Sequence, residues 1–497
     1  MSAVWPHLPA LQVVIPLIGS LLAALLRRPA AGFALAAVVT WVAAAIAIAL
    51  LCQVLRSGPI SYHLGGWAPP WGIEYRVDVL NAFVLALVTI VGAVIMPFAR
   101  RSVAFEVGQD REAWFYCMYL LCLTGMLGIA ATGDVFNAFV FLEISSLSSY
   151  VLIALGADRR ALLSSFQYLI MGTIGATFYV IGIGMLYLVT GTLNMVDLAA
   201  RLTTAWGEFS RPIIAGLAFI TVGIGLKLAL FPLHVWLPNA YAYAPSWVTA
   251  FLSATATKVA IYLLVRFHFS IAGGVIDVRA LPIDDVIVVL SLAAIIIASL
   301  IAVFERNLKR LLAYSSVAQI GYITLGIGLA NQAALTGGLV HVVNHALMKA
   351  ALFLAAGAVF YRAHTTQLGE LAGIGRRMPL TLAAFTVAGF GLVGTPGTSG
   401  FISKWYLMVG ALDAGQWVSA AAIVAGSLIA LVYVGKVLEI VWLREPLPQT
   451  AAVGDPPLAM LAPLAVLALA TIYFGFDTEW TAGIAAKASA SLLGGMR

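Results

Sequence analysis

Fourteen apolar runs of spanning length leave this chain almost no fold except a bundle of transmembrane helices. About 20 apolar residues cross the hydrocarbon core of a bilayer. Such runs stand near 10–26, 31–55, 79–99, 113–132, 135–156, 161–190, 212–231, 246–270, 284–304, 308–330, 333–361, 379–412, 416–443 and 457–476. Composition agrees: 62% of residues are hydrophobic and 10% charged, against about 25% charged in soluble domains. The first run has Arg27 and Arg28 after it and no basic residue before it. That order is the reverse of a secretory signal peptide, so the run is expected to be a true first span.

The net charge of +6 in a soluble protein would suggest nucleic acid or an acidic partner. Here the basic residues fall in alternate connections, which speaks for topology and against nucleic acid. Odd-numbered connections hold Arg27, Arg28, Arg100, Arg101, Arg111, Arg159, Arg160, Arg306, Lys309, Arg310, Arg362, Arg376, Arg377 and Arg444. Even-numbered ones hold mainly Arg56, Arg76, Arg201, Arg211, Arg266 and Arg279. The positive-inside rule then places the odd connections in the cytoplasm and both termini on the outer side. The polar connections 56–78, 197–211 and 362–378 are too short to fold alone, so one membrane domain over 1–497 is expected. The stretch 56–78, rich in turn residues and in Trp and Tyr, reads as a hairpin at the lipid headgroups. Cys52, Cys117 and Cys122 form no C-x-x-C pair and have no histidine cluster near them, which points to no disulfide framework, metal site or redox cofactor.

Lysines inside lipid are the chemically informative residues. A charge at the bilayer centre costs about 2.5–3.5 kcal/mol on insertion scales, so a chain that keeps several is using or pairing them. Lys227, Lys258, Lys349, Lys404 and Lys436 all fall in spanning runs. Lys227 precedes Pro232 and Pro238 in the seventh run, and Lys404 follows Gly394, Pro396, Gly397 and Gly400 in the twelfth. Paired helix breaks in two halves of a membrane protein are a pointer to an ion site, and the carbonyls they free must be met by protein or water. Glu143 is the one clear carboxylate deep in a run, with Ser146 and Ser149 after it. Burial and pairing pull a Glu–Lys pair's protonation in opposite directions, so a pair that forms and breaks is a protonation switch; a static packing pair is the alternative. In the eleventh run His341, His345 and Lys349 share one helical face at four-residue spacing. Without an accompanying carboxylate this suits a proton relay better than a metal site. His234, after a helix-breaking proline, either joins that relay or caps its cavity.

Glu143, the run Leu226 to Pro238, Ala244-Pro245-Ser246, Thr257-Lys258, Asn307 to Tyr322, His341 to Ala350 and Gly400 to Trp405 resemble the antiporter-like subunit family shared by respiratory complex I and multisubunit cation/proton antiporters. The likeness runs from about 75 to 440. It is greatest to the D-type branch of Mrp-type Na+/H+ antiporter subunits, from Thr190 to Met195 and in the lysine at 404. The resemblance implies an all-α protein of about fourteen spans with two inverted five-helix repeats, spans 4–8 (residues 113–270) and 9–13 (284–443), each with a broken helix. Residues 1–112 hold the first three spans and 444–497 the fourteenth span and a tail. It also implies a proton path through Glu143, Lys227, Lys258, His345, Lys349 and Lys404. Glu143 and Lys227 gate it, Lys258 is the central relay, and Lys436 is an accessory. Several relatives have a lysine near Gln167, which cannot titrate. The implied function is a proton-translocating subunit of a Na+ (or other monovalent cation)/proton antiporter, in a bacterial-type inner membrane with other membrane subunits as partners. No enzymatic step is expected, and the cation crosses here or in a partner. Two alternatives stand: a proton-pumping subunit of a complex I-type or membrane hydrogenase complex, and the membrane subunit of an inorganic-carbon uptake system.

Overall fold

The computed structural model describes residues 4–26, 28–273, 283–448 and 453–494. Arg27 and Arg279, counted in the loop-charge pattern, lie outside the described residues. The helices in chain order are α1 Leu8–Leu25, α2 Pro29–Ser57, α3 Val79–Glu106, α4 Glu112–Ala131, α5 Val135–Ala154, α6 Arg159–Thr190, α7 Met195–Leu228 and α8 Leu237–Tyr243. After these come α9 Ser246–Ile271, α10 Ile283–Phe304, α11 Leu308–Gly328, α12 Gln332–Ala363, α13 Pro379–Val393, α14 Ser399–Asp413, α15 Trp417–Leu443, α16 Leu458–Phe476 and α17 Glu479–Gly494. Among the described residues, 13 helices are long and apolar enough to cross a membrane, and α13 with α14 forms a further, interrupted crossing. Between α2 and α3, β1 Ile60–His63 pairs antiparallel with β2 Glu74–Val77, with Ile60 opposite Val77 and His63 opposite Glu74. The hairpin expected over 56–78 is therefore present, and it leaves Trp67 and Trp71 exposed.

Short polar caps start the apolar helices. The Asp134 carboxylate accepts from Asn137 N at 2.7 Å ahead of α5, and Asn307 Oδ1 accepts from Arg310 N at 3.2 Å ahead of α11. Each cap satisfies an N–H that the helix leaves free. The same two residues show how the halves repeat. Asp134 bridges to Asn194 just before α7, and Asn307 bridges to Gln367 ahead of α13. In both halves the start of the second crossing is tied to the chain ahead of the fourth. A repeat of five crossings is odd in number, so its second copy must enter from the opposite end of the bundle. The inversion is a consequence of that count.

The two halves bury their chemistry in the middle helices. Within its most apolar window α12 is 100% buried, α11 94% and α9 89%, against 39% for α6 and 33% for α16. The inner three carry Lys258, Lys309, His341, His345 and Lys349. The residues after the fourteenth span, expected as a tail, instead form α17. It turns Thr481, Ala482, Ile484, Ala485, Ala488, Ser489 and Leu492 inward and meets the start of α12, where Gln332 Nε2 donates to Ala486 O at 3.1 Å.

Candidate functional site

Helix interruptions build the site. The seventh crossing stops at Leu228, where Ala229 turns left-handed at φ 61° and Pro232 has no N–H to continue the ladder. Pro238 behaves differently from the expectation that it breaks the helix. It sits in the first turn of α8, where the missing N–H would have no partner in any case, so it starts a helix. The carbonyl freed at Leu226 accepts from the indole of Trp236 at 2.9 Å. The twelfth crossing stops at Val393, with Gly394 at φ 85° and Gly397 at φ 83° on either side of Pro396. Such positive φ values are open to glycine without a Cβ penalty.

Two of the buried lysines, Lys404 and Lys258, are bound at carbonyls that such irregularities release. A helix's C-terminal carbonyls carry partial negative charge and attract cations. Lys404 Nζ donates to Leu392 O at 3.1 Å and Val393 O at 2.9 Å, the last carbonyls of α13, and to Ser427 Oγ at 2.9 Å. It also lies 4.6 Å from the centre of the Tyr322 ring. Lys258 Nζ donates to Ser253 O, two residues before the helical irregularity at Thr255, and to Thr257 Oγ1 at 3.3 Å. Lys349 Nζ takes Leu312 O at 2.8 Å and the Ser315 hydroxyl. Of these four, Lys227 is the one with a carboxylate in reach. Its Nζ lies 3.7 Å from Glu143 Oε1, with the lysine side chain 6% exposed and the glutamate 27%. Closer partners are Ser146 Oγ at 2.5 Å and Tyr150 OH at 3.3 Å. A cavity of about 30 Å³, lined by Ser145, Ser146, Ser149, Tyr168, Lys227 and Val259 among others, adjoins this lysine on the α9 side.

The histidines divide. His341 has both nitrogens engaged, Nδ1 with Ser403 Oγ at 2.7 Å and Nε2 with Gln319 Oε1 at 2.9 Å. His345 stacks on it with ring centroids 6.1 Å apart, fully buried, and neither of its nitrogens has a partner. His234 stacks on Phe231 and leaves Nδ1 unpartnered. No group of three or more His, Cys, Asp or Glu that could hold a metal occurs among the described residues.

Two candidate residues stand apart from this line. Gln167 is exposed on α6, accepting from Asn239 Nδ2 at 3.3 Å; its neighbour Tyr168 is the one that faces inward. Lys436 donates to Val303 O at 2.8 Å and Glu305 O at 2.9 Å, closing the C-terminal end of α10. Two ion pairs, one buried and one half-buried, were not foreseen, because Lys309 and Arg266 read as loop charges. Lys309 instead sits buried in the first turn of α11, 3.9 Å from Glu106, beside a cavity of about 510 Å³. Arg266, near the end of α9, meets Asp78 at 2.8 Å beside a cavity of about 250 Å³ at the hairpin end of the bundle. Both lie near a helix end, inside the apolar runs 246–270 and 308–330, where a charge is readily counted with the adjoining loop.

An interrupted, internally repeated helix bundle with buried lysines is the architecture of an antiporter-like membrane subunit. The chain belongs to the NADH:quinone oxidoreductase/Mrp antiporter transmembrane family, whose sequence pattern matches residues 132–430. It is 42% identical to a NADH-quinone oxidoreductase subunit N of Desulforudis audaxviator over 95% of this chain and 96% of that one. It is 30% identical to the D subunit of a Na+/H+ antiporter of Alkalihalophilus pseudofirmus, over 95% and 94%. Among solved structures, a chain of the Mrp complex from Dietzia sp. DQ12-45-1b superposes with a TM-score of 0.89 at 29% identity, over 99% of this chain and 98% of that one.

Proposed function

We propose that this chain moves protons through a multisubunit membrane complex along Glu143, Lys227, Lys258, His345, Lys349 and Lys404, with Glu143 and Lys227 as the gating pair. The observation that carries the reading is the 3.7 Å approach of Lys227 to Glu143, in a bundle whose other buried lysines along this line have neutral partners. A lysine held by a carboxylate on one side and hydroxyls on the other can release its proton toward the cavity and regain it from the acid. His234 flanks this line, and His341 supports it by fixing Ser403 and Gln319.

The work coupled to that movement has two readings. Exchange of Na+ or another monovalent cation for protons is supported by the relatives named as D subunits of Na+/H+ antiporters and by the likeness to the Mrp complex. Coupling to electron transfer is supported by the relative at 42% identity named NADH-quinone oxidoreductase subunit N. Either assigns the chain to a bacterial-type inner membrane, with further membrane subunits around it and, by the loop charges, both termini outside.

Everted vesicles carrying the whole complex separate the readings. With wild type, adding Na+ is expected to collapse an imposed pH gradient, and Glu143→Ala and Lys404→Ala are expected to abolish the collapse while the complex assembles. No response to Na+, with proton uptake driven by an electron donor and lost in Glu143→Ala, would transfer the assignment to a redox pump. An active Glu143→Ala complex would remove the gating role under both.

A further inference from the structure

We propose that Tyr150 is a positioning residue for Lys227, holding its ammonium group in a cradle of hydroxyls short of Glu143, and that Gly172 provides the space in which it does so. This rests on Lys227 carrying protons.

Lys227 has a carboxylate in reach, yet its Nζ lies nearer to Ser146 Oγ and Tyr150 OH, at 2.5 and 3.3 Å, than to Glu143 Oε1 at 3.7 Å. That carboxylate oxygen is buried and has no hydrogen bond. Charge-assisted N–H···O contacts close to about 2.7–2.9 Å when nothing prevents them, so the surroundings hold the lysine back.

Three aromatic rings supply the restraint. Tyr150 meets Tyr168 edge-on with centroids 4.7 Å apart, and Tyr168 stacks flat on Trp236 at 3.8 Å and 6°. The Trp236 indole donates to Leu226 O, the carbonyl of the residue just before Lys227. One continuous stack therefore grips both ends of the lysine: its backbone through Leu226, at the interruption, and its ammonium group through Tyr150. The Tyr150 main chain is held in turn, its carbonyl accepting from Ser165 Oγ at 2.6 Å. Stacking alone would be served equally well by phenylalanine. The hydroxyl is what reaches Lys227.

Gly172, on α6, leaves the slot that the hydroxyl fills. A Cβ there would lie 1.8 Å from Tyr150 OH, 2.9 Å from Tyr150 Cζ and 3.4 Å from Lys227 Nζ. Any side chain at 172 must expel the phenol oxygen from its place beside the lysine.

The test uses the intact complex in proteoliposomes with a trapped pH dye. Tyr150→Phe keeps the rings and removes one oxygen; Gly172→Ala keeps the oxygen and displaces it. Each is expected to lower proton flux per assembled complex about tenfold, Tyr150→Phe with a thermal midpoint near wild type and Gly172→Ala with a lowered one, and the double variant is expected to be no worse in flux than the lower single. In a structure of Tyr150→Phe the Lys227–Glu143 separation is expected to fall from 3.7 Å to about 2.8 Å, a change that a packing role would not produce. Tyr150→Phe within twofold of wild-type flux, or losses that multiply in the double variant, would overturn the assignment. Should Gly172→Ala fail to assemble, Tyr150→Phe decides alone. Glu143→Gln run in parallel separates the two levels: full flux there removes the proton-path reading itself, whereas lost flux there with an unaffected Tyr150→Phe removes only the positioning role.

Discussion

Lys227, Lys258, Lys349 and Lys404 meet the same physical problem with four different partner sets. One has a carboxylate and two hydroxyls, and the other three rely on backbone carbonyls with a hydroxyl beside them. The lysines themselves were legible in the sequence, because a cation in an apolar run stands out at once. Glu143 stood out as a partner for Lys227, but the partners of Lys349 and Lys404 did not: Ser427, Ser315, Tyr322 and the carbonyl of Leu392 are residues of no distinction until folding carries them to a charge far along the chain. The same blindness hid Asp78 and Arg266. Asp78 lies outside the spanning segments. Burial pushes its carboxyl upward, but the charge and hydrogen bonds of Arg266 and the N–H groups of Asn81 and Leu80 outweigh this and hold it below the ordinary aspartate value of 3.8. A depressed folded value means the pair stabilises fully above that ordinary value and is lost as pH falls through the depressed one. Asp78→Asn leaves Arg266 uncompensated and is expected to cost about 3 kcal/mol near neutral pH, with the gap to wild type closing only below about pH 4. Thermal unfolding in detergent between about pH 7 and pH 3 checks both the size and the window.

At the scale of elements, the two interrupted crossings hold Lys227 and Lys404, and the sequence announced both interruptions through proline and glycine. What it misplaced was the mechanism of interruption in the first. Pro238 looked like a breaker because proline interrupts a helix interior, yet position relative to the helix start decides its effect, and α8 begins there. The second interruption depends on Gly394, whose left-handed backbone also faces the stem of Lys404. A Cβ at 394 would lie 2.9 Å from Lys404 Cδ and would carry the left-handed penalty of about 1–2 kcal/mol. Gly394→Ala is therefore expected to lower stability by about that amount and to cut proton flux more deeply than the stability loss explains, because the Lys404 side chain has to move. Flux per assembled complex, measured beside the thermal midpoint, distinguishes the two effects.

For the whole molecule, the number and order of crossings followed from hydrophobic length alone, and the inverted repeat follows from there being five in each half. The final helix did not. α17 has alanines and serines in place of a long apolar run, so nothing in its pattern called for a packed helix; its inward face is used against α12 and α3. Burying Ile484 and Leu492 contributes about 1.5–3 kcal/mol each. Ending the chain after Asp477 is thus expected to lower stability by roughly 3–6 kcal/mol and to open the hairpin-end cavity, whose wall includes Ala488, Ser491 and Leu492. Melting of the truncated complex in detergent is the measurement.

The row of buried groups also has a sign. Four lysines and one glutamate along the same interior make, whenever the lysines are charged, a corridor of positive potential in a low-dielectric wall, where a unit charge is felt far more strongly than in water. A proton can be handed from group to group without any ion standing free in that field. A sodium ion cannot, since it must keep its charge and find oxygen ligands at every stop. On the path proposed above, such a corridor would relay hydrogen ions and repel metal cations, and a metal cation exchanged by the complex is then expected to cross along a different surface.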